Sequence, residues 1–589
     1  MKNKKILIAI VAVVALICVI GSVFGVRWLI FKFGKKAGLL ENKGLIDDWK
    51  YAQKGDYYES LYDASSSING SVSSGETFAT KSSNELGLSV GGAKNVQNFR
   101  ENIKNGYLPI STDITYNGLF YDYYFNTGKT KPSEDLFSPT YSTAVSKDPI
   151  SGAYEYYMTV GLNSNIKEND FKRKKLNLIV VMDVSGSMSS GFNRYYYDRN
   201  NLEDEENYDN RSKMKIANES LNMLIDKLNS DDKLGIVLFD NEAYLAKPVN
   251  LVGETDLDKL KEHILEISPR GGTNFEAGYK EGTELFTREM LDNDEYENRI
   301  IVITDAMPNL GNTSKGELTK YVKENADKEI YTSFIGVGVD FNTEVIECLS
   351  DVKGANYYSV HNTDEFKKIM SDDFDYMVTP LVFDLELKFD SSNYIIKNVY
   401  GTDTKEKNTG TLMKINTLFP SSSNSSEEAK GGVVLIKIAP AIIDYIEPGH
   451  EGTKIIVSYK DRDGKEHKNE QSITFDSKTE ERYDNTGIRK AIVLTRYVNL
   501  MKEWTLFQKS HKGTFQISTD TGIKDCTYIS HEEVRNLLGE NERTSTKLSV
   551  DKEYVDIFVK FKAYMKNEIK EIGDNDMNQE IEILDLLTK

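Results

Sequence analysis

The chain has 589 residues, 92 acidic against 73 basic, for a formal net charge of −19. Its length allows about three to five domains and an ample core, and a composition 39% hydrophobic and 28% charged excludes wholesale disorder. The acidic balance argues against nucleic acid as a partner, because phosphate binding needs a basic face, and three cysteines in so long a chain exclude a disulfide scaffold.

Lys2, Lys4 and Lys5 precede an uncharged apolar run from Ile6 to Val26. At 1.5 Å per residue the run reaches about 30 Å, enough to cross a bilayer's hydrocarbon core. It exceeds the apolar region of a usual signal peptide, and no A-x-A-like cleavage site follows. Residues 1–30 are therefore expected to be a single-pass transmembrane signal anchor in the cell membrane, with the bulk of the chain extracytoplasmic. Residues 31–87, rich in Ser, Gly and Tyr from Glu41 onward, read as a juxtamembrane linker. Residues 88–175 form an aromatic-rich N-terminal segment. Within it, Val96, Phe99, Arg100 and Ile103 predict a short helix closed by Gly106 and Pro109. The aromatics of Thr115 to Phe125 predict core and strand-face packing, with a sugar-stacking platform as the sharper alternative.

From Leu176 to Thr379 strands and helices alternate. Leu176 to Met182 runs apolar into Asp183, as expected of a strand buried on both faces. Ser212 caps a predicted helix striped by Met214, Ala217, Leu221, Leu224, Ile225 and Leu228. Strands are predicted at Leu234 to Phe239, Ile300 to Ile303, Ile330 to Val337 and Tyr357 to Val360, with Ala243 to Lys247 a short edge strand. The intervening segments read as helices, including Asn274 to Leu291. The implied fold class is α/β, a doubly wound and mainly parallel sheet over residues 176–379.

Residues 380–478 change to β texture, with strands predicted at Val382 to Phe389, Val433 to Ile438, Lys454 to Tyr459 and Ser472 to Phe475. Asp461-Arg462-Asp463-Gly464 looks like half a calcium loop but reads better as a hairpin turn. Residues 479–589 return to helical patterning. Cys348 and Cys526 lie far apart, as free thiols or a single bridge.

In a doubly wound sheet the ligand crevice lies beyond the carboxyl ends of the strands. Asp183-Val184-Ser185-Gly186-Ser187 follows the first strand, Thr304-Asp305 follows another, and Gly271-Gly272-Thr273 precedes a helix. Alternation lets the oxygens at 183, 185 and 187 point one way. Asp183, Ser185, Ser187, Thr273 and Asp305 supply carboxylate and hydroxyl oxygens only, a hard donor set suited to Mg²⁺ or Mn²⁺ rather than zinc. Two anions among five donors leave positive character at an open position, which attracts a partner's carboxylate.

The pattern Asp183-x-Ser185-x-Ser187 with Thr273 and Thr304-Asp305 resembles the metal-ion-dependent adhesion site of von Willebrand factor type A domains. The resemblance covers Leu176 to Thr379. It implies that Ser185, Ser187 and Thr273 bind Mg²⁺ (or Mn²⁺ or Ca²⁺) directly, that Asp183 and Asp305 act through water, and that a protein ligand's acidic residue completes the shell. The flanks Leu86 to Lys94, Leu119 to Phe125 and Met377 to Phe383 resemble a bacterial membrane-attached subgroup. In arrangement this subgroup is distantly similar to inter-α-trypsin inhibitor heavy chains and calcium-channel auxiliary subunits.

Enzyme motifs are missing. There is no Gly-x-Ser-x-Gly elbow around Ser185, no phosphate-binding Gly-x-x-x-x-Gly-Lys-Ser/Thr loop, and the six histidines are scattered. The expected function is that of a non-catalytic, membrane-anchored binding or adhesion protein. The alternatives are a non-catalytic assembly or regulatory subunit of a membrane protein complex, or a co-chaperone partner of an ATPase. The segment Ser189 to Arg211, with its tyrosines and acidic run, is expected to overhang the metal and read the ligand, or to be a solvated loop.

Overall fold

The computed structural model describes residues 44–52, 85–128, 135–198, 211–391, 394–402, 412–425, 427–440, 453–473, 480–512 and 540–589. The apolar run Ile6 to Val26, the linker from residue 53, the acidic run Glu203 to Glu206 and Cys526 lie outside them. Among the described residues no helix is long and apolar enough to cross a membrane, and Cys348 is a free thiol. The chain divides into two compact units, Met1–Asp47 with Glu254–Asp256, and Asp48–Gly253 with Leu257–Lys589. In the first, Ile46 bridges Thr255 in parallel. All that follows concerns the second.

Its centre is a seven-stranded sheet. The strands in chain order are β1 (Gly92–Ala93), β2 (Lys175–Asp183), β3 (Lys233–Phe239), β4 (Ala243–Leu251), β5 (Tyr296–Thr304), β6 (Ile330–Val337) and β7 (Asn356–Val360). Their spatial order is β1-β7-β6-β5-β2-β3-β4. All neighbours are parallel except β4, which pairs antiparallel with β3 at the edge. Along β2, Leu178, Val180 and Met182 enter one core while Ile179 and Val181 enter another. Helix α1 (Lys213–Ile225) covers the first face through Met214, Ala217 and Leu221, and α2 (Phe275–Glu284) covers the second through Phe275 and Tyr279. The apolar run of the first strand thus follows from burial on both sides. The expected doubly wound sheet is present. Its edge β1 comes from the N-terminal segment, and the expected helix from Asn274 to Leu291 is interrupted between Glu284 and Arg288.

Three further sheets, of six, five and three strands, are antiparallel and pair N-terminal strands with strands that follow the central sheet in sequence. Glu85–Val90 pairs with Leu412–Ser421, aligning Gly87 with Ser421. Tyr154–Gly161 pairs with Val433–Pro440. Asp461 to Gly464 is the turn of a hairpin. The Asp461 carboxylate accepts from Asp463 N and Lys465 N, and Gly464 takes φ +75°, a left-handed turn residue.

A third core joins the chain's two ends. It packs α3 (Thr486–Lys512), α4 (Lys552–Ile572) and α5 (Asn578–Leu587) against the short helix Gln97–Lys104. Phe120, Tyr123 and Phe125 belong here and are at most 1% exposed, while Tyr121 enters the core on the first face of the central sheet. The ring faces of Phe120, Tyr123 and Phe125 are inaccessible to a sugar, so these three serve as core residues, as expected. Buried Arg100 donates from Nε to the fully buried Glu580 at 3.1 Å and from Nη1 to Asp122 at 2.7 Å, while Tyr123 Oη donates to Glu580 at 3.0 Å. Removing one partner of a buried ion pair strands the other charge. Arg100→Ala is therefore expected to destabilise this unit by about 3–5 kcal/mol, read as a lowered urea midpoint. A midpoint unchanged from wild type would show that the pair holds nothing together.

Candidate metal centre

Parallel pairing of β2 with β5 aligns Met182 with Ile303, so both strands end side by side at the carboxyl edge. Chain order reverses here, since β3 lies on one side of β2 and β5 on the other. That is the topological switch point where such sheets open a crevice. Asp183 and Thr304 close their strands, and Asp305 follows.

All five predicted donors converge at this edge. Asp183, Ser185, Ser187, Thr273 and Asp305 are each at most 4% exposed. Thr304 Oγ1 donates to Asp183 Oδ2 at 2.6 Å, and Ser185 N donates to Asp183 Oδ1 at 2.8 Å. The hydroxyls of Ser185 and Ser187 lie 3.1 Å apart. Gly186 N donates to Gly271 O at 2.9 Å and Arg270 N to Val184 O at 2.7 Å, which ties the loop after β2 to the loop before α2. A side chain at Gly186 would press on Gly271 O at 3.0 Å, so glycine permits that close approach. Thr273 N donates to Asn309 Oδ1 at 2.8 Å, joining the third loop. Ala306, directly after Asp305, takes the left-handed φ of 57°. This uncommon conformation for a residue with a Cβ turns its N–H onto Thr304 Oγ1 at 2.8 Å.

Two residues that sequence reasoning missed complete the electrostatics. Lys213, the first residue of α1, is fully buried and donates to Asp305 Oδ2 at 2.7 Å and to both oxygens of Asp340 at 2.9 Å. Burial works against its charge, but Asp305 and Asp340 outweigh that and hold the ammonium above its usual range. Asp340 follows β6, as Asp183 ends β2 and Asp305 follows β5. A carboxylate at a strand's carboxyl end was a signal available for it, whereas nothing marked Lys213 as different from a solvated helix lysine. Burial also raises Asp340 and lifts Asp183 to about 7, the Asp305 charge adding to the effect on both.

Asp305 Oδ1 is buried without a hydrogen-bond partner. Three buried carboxyls (Asp183, Asp305 and Asp340) share one ammonium, Lys213, so acidic groups outnumber basic ones by two in this buried space. An orphaned carboxylate oxygen, three nearby hydroxyls and that acidic excess fit a hard divalent cation. Among the described residues no group of three or more His, Cys, Asp or Glu side chains is arranged as metal ligands. The donor set here instead mixes two carboxylates with hydroxyls.

The surroundings are partly apolar. Tyr196 and Leu310 are 37% and 39% exposed. The Tyr196 hydroxyl lies 3.3 Å from where a Gly186 Cβ would sit, and Leu310 Cδ1 lies 2.7 Å from the same position at Gly272. Tyr195 turns inward, donating to Asn102 Oδ1 at 2.7 Å. The stretch Ser189 to Asp198 therefore borders the site, while residues 199–210 lie outside the described residues.

The model of the von Willebrand factor type A domain matches residues 178–308. Inter-alpha-trypsin inhibitor heavy chain H2 of Mus musculus is 22% identical over 218 residues, 36% of this chain and 21% of that protein. The chain thus spans about a fifth of the length of the curated relatives it matches. Among solved structures, the BatB protein of Bacteroides thetaiotaomicron is similar at 20% identity and a TM-score of 0.26, covering 33% of this chain and 95% of that one. A von Willebrand factor type A protein of Catenulispora acidiphila is similar at 13% identity and a TM-score of 0.35, covering 65% and 90%.

A raised carboxyl pKa means that folding is favoured below the unfolded value and penalised as pH rises through the folded one. In metal-free protein, Asp183→Asn should therefore be neutral near pH 4. It should gain stability across pH 4 to 7 and reach a gain on the order of a few kcal/mol by pH 8. Urea melts in EDTA read this, and a gain that does not grow with pH would exclude the burial cost assigned to Asp183.

Proposed function

Because residues 178–308 are a von Willebrand factor type A domain, we propose that the chain is a non-catalytic binding protein that grips an acidic group of a protein ligand through a divalent metal. Ser185, Ser187 and Thr273 would hold Mg²⁺ or Mn²⁺ by their hydroxyls, and Asp183 and Asp305 would act through water. When bound, the cation supplies the positive charge that a partner's carboxylate needs. The observation that carries this reading is the orphaned Asp305 Oδ1 inside a buried cluster of three carboxyls and one ammonium. Lys213 fixes Asp305 by donating to its Oδ2, with Asp340 accepting from the same ammonium. Tyr196 and Leu310 favour a ligand whose acidic residue has apolar neighbours, since exposed apolar groups beside a charged anchor gain from being covered.

The tether is the basic-flanked run Ile6 to Val26, which would hold the binding domain outside the cell membrane. On intact cells, protease added outside is expected to digest the domain; protection of the domain would place it inside and reverse the proposed orientation.

Titration calorimetry tests the site. Wild type should bind Mg²⁺, and Ser187→Ala or Thr273→Ala should weaken binding about 10- to 100-fold while leaving the melting temperature in EDTA unchanged. Equal Mg²⁺ affinity in wild type and both variants would refute the assignment.

A further inference from the structure

Glu542 lies 237 positions after Asp305 in sequence, in a segment with no strand or helix of its own, yet its carboxylate stands at the rim of the metal centre. Glu542 Oε1 accepts from Asn309 Nδ2 at 2.8 Å and from Tyr197 Oη at 2.5 Å. The same Asn309 side chain accepts from Thr273 N at 2.8 Å through its other atom. One asparagine side chain therefore separates Glu542 from a predicted metal-binding threonine. The Tyr197 hydroxyl is pushed up by burial and by the Glu542 carboxylate, with Asp305 adding to the same effect.

The placement is built by the residues on either side. Asn541, 1% exposed, donates to Pro308 O at 3.2 Å and Thr313 O at 2.9 Å, on the loop that follows Asp305. Asn342 Nδ2 donates to Asn541 O at 2.8 Å. Arg543 Nη1 donates to Phe341 O at 2.6 Å, beyond Asp340, and Ser545 N donates to Asp198 Oδ1 at 2.9 Å. Flanking residues pinned to the loops after β5 and β6 hold Glu542 in place far more tightly than an exposed glutamate is held. A carboxylate brought to the edge of a cluster in which three carboxyls share one ammonium gains nothing from that cluster without a cation. It becomes an oxygen ligand when a cation is bound.

We propose that Glu542 is the chain's own carboxylate ligand for the cation, so that an acidic group from another protein binds by displacing it. This rests on the metal reading above and adds a condition to it: the external ligand competes with an internal one of the same chemistry. Asn309 and Tyr197 are the groups that receive the carboxylate when it is displaced, because both already donate to it.

The test uses the full-length chain with Mn²⁺ as the probe. Glu542→Gln keeps an acceptor oxygen for Asn309 and Tyr197 but removes the charge, so its melting temperature in EDTA should match wild type. Three changes are expected in E542Q: Mn²⁺ affinity falls about tenfold, the water-proton relaxivity of the bound Mn²⁺ rises as a water takes the vacated position, and acetate binds the loaded site more tightly. Glu542→Asp, which keeps the charge but shortens the reach, should also raise relaxivity. If Ser187→Ala weakens Mn²⁺ binding while relaxivity is unchanged in both Glu542 variants, the internal-ligand proposal is overturned and the metal reading stands. If wild type binds no Mn²⁺, both fall.

Discussion

The buried ammonium of Lys213 is the interaction on which the carboxyl edge of the sheet depends. It lies between Asp305, after β5, and Asp340, after β6, and all three side chains are sealed from solvent. Two carboxylates side by side in a low-dielectric space repel strongly, and a single cation between them converts repulsion into a clamp. The clamp also fixes the start of α1, and with it the return of the loop that carries Ser185 and Ser187, because Lys213 N donates to Ser190 O at 2.9 Å. One charge thereby ties together three of the loops that border the site.

That clamp leaves Asp183 out of reach of the ammonium's hydrogen bonds and leaves one oxygen of Asp305 without a partner. The acidic excess is the physical content of the adhesion-site resemblance. Burial and the Asp305 charge lift the Asp183 carboxyl to about 7, and a divalent ion held there, as proposed, would offset the burial of its charge. Stability and binding are then coupled: what the empty site costs the fold is available to cation binding.

How far the sequence foretold this depends on the range over which its signals act. Alternation of apolar strands and striped helices is local, so the doubly wound sheet and the ends of β2 and β5 were legible. The meeting of Asp183, Ser185, Ser187, Thr273 and Asp305 at one edge was legible for the same reason, each lying at or beside a strand end or a helix start. Lys213 was not, because a lysine at the first turn of an amphipathic helix carries no mark of being buried until its neighbours across the sheet are known. The pairing of Gly87 with Ser421 was equally hidden: antiparallel register between segments more than 300 residues apart is set by packing rather than by periodicity. Glu542 sits where patterning shows only a loop between helices, and its meaning comes from Asn541 and Arg543 being pinned to the loops after β5 and β6, 202 to 233 positions earlier in the chain.

A net charge of −19 bears on this in a specific way. A strongly acidic surface repels acidic ligands at long range, and salt screens that repulsion beyond about 8–10 Å. An acidic group therefore gains nothing from steering and must be held by contact at the site itself. Glu542 meets that condition by tethering, since an intramolecular carboxylate is present at high effective concentration without diffusing through the field. A ligand from another protein must overcome both the field and the tethered competitor. It can do so by adding apolar contact at Tyr196 and Leu310, the exposed groups beside the metal position. If Glu542 supplies the carboxylate as proposed, selectivity at this edge would arise from the surroundings of the incoming carboxylate rather than from the carboxylate itself.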